Sequence, residues 1–159
     1  TLEWLARRRP PGLVIDLQTP EAKFLMAEGA RGKIYCPAGV DRHGRGLLVF
    51  DNSVGDRRGS QASAMRFLAY HIDFALRQAH LARLQRRSTE SGGGSGDDTP
   101  DKLFIMIKLN DFSLLNSPPV SQARETLEIL MDRYPETMGH CIAYRPPRVF
   151  SGMWSFARN

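Results

Sequence analysis

Leu103-Phe104-Ile105-Met106-Ile107 is the feature that most constrains this chain. Five apolar residues stand in a row between Lys102 and Lys108 and do not alternate with polar ones. Such a run fits a strand buried on both faces, as in a parallel sheet. Parallel neighbours need a crossover, usually a helix. The residues that follow supply one. Ser117-Pro118 opens it, and Val120, Ala123, Leu127, Leu130 and Met131 give it an apolar face. Glu125, Glu128, Asp132 and Arg133 mark its wet side, and Tyr134-Pro135 ends it. Cys141 to Tyr144 is then a second short strand. Strand, helix and strand over about 40 residues make a βαβ unit.

Upstream, Leu2, Leu5 and Ala6 fit the tail of a helix that Pro10-Pro11-Gly12 breaks. Thr19-Pro20-Glu21 is a helix start, with Thr19 as cap and proline in the first turn. That helix is expected to reach Gly29. Lys33 to Cys36 is a short strand, Asp41-Arg42-His43-Gly44 is turn chemistry, and Leu47 to Phe50 is a second apolar run. Together they predict an antiparallel hairpin. Asn52 to Ser60 is a polar loop. Met65, Leu68, Ile72, Ala75, Leu76 and Ala79 then recur at helical spacing, and Phe67, Tyr70 and Phe74 widen the stripe. This long helix fades into Leu84-Gln85-Arg86-Arg87. Residues 88–101 contain Ser91-Gly92-Gly93-Gly94-Ser95-Gly96, which predicts a flexible insertion within one domain. Phe150, Met153, Trp154 and Phe156 suit the beginning of a greasy helix.

The chain has 159 residues, which suits one domain, and 42% are apolar, enough for a core. No run approaches the roughly 18 apolar residues of a membrane span. The opening Thr1-Leu2-Glu3-Trp4 is neither a secretory signal nor a translation start, so the segment reads as cut from a longer protein. Cys36 and Cys141, the two cysteines, read as reduced thiols in a cytosolic protein. The net charge of +5 leans toward phosphates, on nucleic acid or on an anionic membrane leaflet. Arg7, Arg8 and Arg9 form one basic cluster; Arg83, Arg86 and Arg87 form another, at the end of the long helix where cations complement the dipole.

Enzyme chemistry finds little support. There is no G-x-S-x-G elbow, no Walker loop and no dinucleotide fingerprint after the strand at 103–107. His43, His71, His80 and His140 show no ligand spacing, so no metal and no cofactor are expected. The carboxylates form no acid/base pair. Glu136, after a helix-breaking proline and near a strand entry, is the one that stands out. Nucleic-acid binding would rest on charge alone, without a recognition motif or aromatic platforms beside the arginine clusters.

Several fragments in order resemble one family. Gly32-Lys33-Ile34-Tyr35, then Val40-Asp41-Arg42-His43-Gly44-Arg45, then Leu47 to Phe50 resembles the opening hairpin of CRAL-TRIO lipid-binding domains, with their D-x-x-G-R turn. Leu130 to Gly139 is similar to the family's hallmark helix ending in Tyr-Pro-Glu, here Tyr134-Pro135-Glu136. Ile142 to Phe150 is similar to the strand leading to a proline and a phenylalanine, here Pro147 and Phe150. Trp4 and Thr19 to Gly29 fit the end of the helical module that precedes such domains.

The resemblance implies an α/β fold with a mostly parallel sheet, flanking helices and N-terminal hairpin strands. It implies that residues 1–29 end an N-terminal helical module and that residues 30–159 form the lipid-binding lobe, with the C-terminal gate region absent. Three positions depart from the family pattern: Lys108 replaces an aspartate, Asp111 a glycine, and Arg145 an asparagine. Members that transfer phosphatidylinositol hold a phosphate with Ser and Thr on the central strand, where this chain has Leu103 and Ile105. The implied function is binding, and intermembrane transfer, of a phospholipid-like ligand in an apolar pocket; the alternative is a regulatory or scaffold module that binds a protein or membrane surface. Ile105, Ile107, Leu109, Ile142, Tyr144, Phe150 and Trp154 are the expected lining, and Glu136 the expected headgroup organiser. The implied partners are a lipid and an anionic membrane surface, with no nucleic acid. Apolar sheet left open on one side would be covered by a second copy or a partner chain. The expected location is cytoplasmic and peripherally membrane-associated.

Overall fold

The computed structural model of the chain describes residues 19–54, 61–89, 101–110 and 125–147. Helix α1 spans Pro20–Arg31, strand β1 Ile34–Tyr35, strand β2 Gly46–Asp51, helix α2 Gln61–Thr89, strand β3 Leu103–Lys108 and strand β4 Met138–Tyr144. A four-residue helical stretch at 125–128 runs into a π-helical turn, Ile129–Arg133, just before β4. The expected helix over residues 1–9, the loop at 55–60, most of the 88–101 insertion, the helix start at 117–118 and the tail from 150 lie outside the described residues.

Local chemistry sets α1. The Thr19 hydroxyl accepts from the Ala22 amide at 3.2 Å, and Pro20 occupies the first turn, where its missing amide costs nothing. The helix runs past Gly29 to a left-handed cap at Gly32, φ 70°.

The sheet has the order β1-β2-β3-β4. β1 pairs with β2 antiparallel, which is the predicted hairpin. β2, β3 and β4 are parallel, so the sheet is mostly parallel as expected. Paired residues of neighbouring strands share a face. Ile34, Leu48, Leu103 and Ile105 point to one side, where Met65, Leu68, Ile72 and Ala75 of α2 close over them. Ile129, Leu130 and Tyr134 complete this core. Gly46 brings β2 directly against α2, because a Cβ there would lie 2.0 Å from the Ala75 carbonyl oxygen.

Two expectations are corrected. The apolar run on β3 is not buried equally on both sides: Leu103 and Ile105 are fully buried, whereas Phe104 and Met106 are only partly covered. The last helix does not bury Leu127 and Met131, which are 55% and 64% exposed. The π turn widens the helix by one residue; Leu130 is buried as expected, and its buried neighbour is Ile129.

Candidate functional site

The expected lining residues do not form one wall. Ile105 and Ile107 lie on the face beneath α2, next to Cys141 and Ala143 of β4. Ile142 pairs with Met106 and Tyr144 with Lys108, which puts both on the opposite face. The strand period of two separates these residues. Leu109 is buried just past β3, and its amide donates to the Tyr144 carbonyl at 2.9 Å. Glu136 sits at the other end of the sheet, ahead of β4, a strand that rises about 20 Å before it reaches Tyr144. Its backbone is left-handed, φ 60°, its side chain is exposed, and its carbonyl accepts from the Lys102 ammonium. Phe150 and Trp154 lie outside the described residues.

The Tyr-Pro-Glu segment instead acts through its tyrosine. Tyr134 is buried, and its hydroxyl donates to Asp73 Oδ1 on α2 at 2.9 Å. That bond ties the π turn to the long helix, so the two elements form one layer over the sheet. The sequence marked Tyr134 as a helix end, but Asp73, 61 residues away, carried no local signal of the partnership.

Packing under this layer is uneven along the strands. At the N-terminal end Gly46, Leu48, Leu103 and Ile105 are sealed. Toward the carboxyl ends Phe50, Ile107 and Ala143 are only half-buried. Ala64 of α2 and Leu25 of α1 are likewise only partly covered beside the core. Ligands of open α/β sheets bind outside the carboxyl ends of the strands. The loosening therefore occurs where such a fold accepts a ligand.

Two cysteines border this core. Burial pushes the Cys36 thiol up to about 12, with its hydrogen donated to the His71 carbonyl. Burial also raises Cys141. Both are inert neutral thiols that behave as small apolar groups. Among the described residues no group of histidine, cysteine and carboxylate side chains could hold a metal ion.

The opposite face carries two compensated charge pairs with apolar side chains between them. At one end Asp41 receives the amides of His43 and Arg45, each at 2.9 Å, and the Arg45 guanidinium at 2.6 Å. Arg45 also lies over the Phe104 ring, which stacks on His140. Gly44, φ 78°, completes this turn and lies against Arg86 of α2. At the other end Lys108 binds Asp51 of β2. Burial acts to raise the Asp51 carboxyl, but Lys108 and the Ser53 hydroxyl and amide outweigh it, and its pKa falls below the usual value. The same contact raises Lys108. Arg145 adopts φ 51°, a left-handed conformation that asparagine tolerates well, with its guanidinium 5.4 Å from the Tyr144 ring centre.

The hairpin, its Asp-to-Gly turn and the Tyr-Pro-Glu entry to β4 thus occur in one fold, in the family's order. The family model described as CRAL/TRIO domain matches residues 30–159. The chain belongs to the CRAL/TRIO family. No curated protein matches it. Domains of this family bind small lipophilic ligands and are in general binding or transfer modules, not enzymes. Leu103 and Ile105 of the central strand point under α2 and are sealed in the core.

Proposed function

We propose that this CRAL/TRIO domain binds a phospholipid-like lipophile between its sheet and its helix layer and carries it between membranes. The graded packing supports the reading most: the same face is sealed at Leu48, Leu103 and Ile105 and half-open at Phe50, Ile107 and Ala143. An acyl chain entering at the carboxyl ends would meet Ile107 first, with Leu109 beside it and Ile105 as the inner stop. Each CH₂ buried there contributes about 0.8 kcal/mol. Ile142 and Tyr144 lie on the opposite face of the neighbouring strand β4, Phe150 and Trp154 add further lining, and Glu136 organises polar groups at the far end. Residues 30–159 form the binding lobe, and residues 1–29 end a preceding helical module. The unpaired thiols of Cys36 and Cys141 fit a cytoplasmic setting.

The sealed, apolar Leu103 and Ile105 favour a second reading for phosphoinositides specifically: the domain does not transfer them and serves as a regulatory module. Native mass spectrometry of the purified chain, followed by solvent extraction, separates the two. A stoichiometric lipid adduct that Ile107→Glu abolishes is the expected result. An apo mass after incubation with phospholipid vesicles would sink the carrier and leave the module.

A further inference from the structure

Helix α2 turns one side to the core and leaves a second apolar stripe outside. Tyr70, Phe74, Leu81 and Leu84 are 38%, 39%, 44% and 46% exposed. With Arg77 between Phe74 and Leu81 they follow a spacing of four, three, four and three residues, so they share one side of the helix. A surface helix normally presents charges of both signs there, and this one carries mostly arginine. Its sequence holds Arg66, Arg77, Arg83, Arg86 and Arg87 against one carboxylate, Asp73, which is already bonded to Tyr134. Asp101 binds Arg83, and Arg86 lies against Gly44, so Arg77 is the cation set within the stripe. No helix among the described residues is long and apolar enough to cross a membrane.

We infer that the outer face of α2 is a docking surface for an anionic phospholipid bilayer. A helix with aromatic and leucine side chains on one side and arginines beside them lies in the plane of a membrane interface. Phe74, Leu81 and Leu84 enter the headgroup boundary, Tyr70 keeps its hydroxyl at the wet edge, and Arg77 meets lipid phosphate and carboxylate groups. The surplus of arginine on α2 selects a negatively charged surface over a neutral one. The inference deepens the carrier reading, because the proposed ligand face lies on the other side of the same helix. A docked α2 holds that face within about one helix diameter, roughly 10–12 Å, of the bilayer.

Flotation with vesicles tests it, using phosphatidylcholine alone and phosphatidylcholine mixed with phosphatidylserine, at low and high salt. The chain is expected to float with the phosphatidylserine vesicles, to lose binding as salt rises, and to ignore phosphatidylcholine alone. Arg77→Ala is expected to weaken binding about five-fold. The double variant Phe74→Ser/Leu81→Ser is expected to weaken it further while its circular dichroism and melting temperature stay at wild-type values, since both side chains are exposed. Equal flotation with both vesicle types, or variants that bind like the wild type, would overturn the inference. So would a double variant that turns a dimer into a monomer in sedimentation, since the stripe would then be a protein interface. Ligand occupancy by native mass spectrometry is read on the same samples. A chain without ligand that still floats through α2 refutes the carrier and keeps the docking surface; a loaded chain that does not float does the reverse.

Discussion

The two ends of the sheet's covered face lie under one helix layer and are packed to different degrees. At the amino end of the strands, Gly46 touches the α2 backbone, and Leu48, Leu103 and Ile105 are shut away. At the carboxyl end, Phe50, Ile107 and Ala143 keep part of their surface. One strand, β3, supplies residues to both. The difference teaches that the central strand has two tasks: its first half holds the fold and its second half is free to meet something else. Side-chain chemistry cannot be the cause, since Ile105 and Ile107 are the same residue. Their different places along β3 go with the different cover.

That contrast can be broken most directly at Ile105. Ile105→Ala is expected to cost about 2–5 kcal/mol of stability, because the site is sealed and a cavity remains. Urea denaturation measures it; a cost near zero would mean that the amino end is as loose as the carboxyl end. Ile107→Ala sharpens the comparison. It is expected to cost about 1 kcal/mol, half the usual value for full burial or less, while lowering lipid occupancy in native mass spectrometry more than Ile105→Ala does among molecules that remain folded. Equal losses of occupancy would erase the division of labour. Tyr134→Phe probes the tie between the π turn and α2. Removing the hydroxyl is expected to cost about 1 kcal/mol, with more tryptic cleavage at Arg133 than in the wild type. An unchanged midpoint would show that Tyr134 acts by packing alone.

The smallest effect belongs to Asp51 and Lys108 on the opposite face. The Asp51 pKa is lowered in the folded chain, so its contribution is present above the unfolded value of about 3.9 and disappears as pH falls through the folded value. The Lys108 pKa is raised, so its contribution is present below about 10.4 and is lost as pH rises through the folded value. The pair therefore supports the fold on a plateau between about pH 4 and pH 10. Melting temperature against pH should show Asp51→Asn below the wild type on that plateau, with the two curves converging in acid. Parallel curves down to the lowest pH would remove the ion pair from the account of this face.

Most of the architecture was legible in local sequence. The Thr19 cap, the hairpin around Asp41 to Gly44, the long period of α2 and the apolar run of β3 each carry their own signal. The division of site residues was not. Ile105, Ile107, Ile142 and Tyr144 look alike as apolar strand positions, and only the register that aligns Met106 with Ile142 assigns them to opposite faces. The burial of Leu130 was expected, but that of Ile129 in place of Leu127 and Met131 was hidden, because a one-residue widening of a helix leaves no mark on its periodicity.

Among the described residues the sequence by itself determined which segments are helix and strand and that the sheet is mostly parallel, because those follow from periodicity, caps and turns within a few residues; its motif fragments in order determined which family it resembles. Only the tertiary structure decided that Tyr134 belongs to Asp73, that Lys108 belongs to Asp51, and that one half of β3 is sealed while the other is not. These are contacts between residues far apart in the chain, and their energies depend on what the fold brings together.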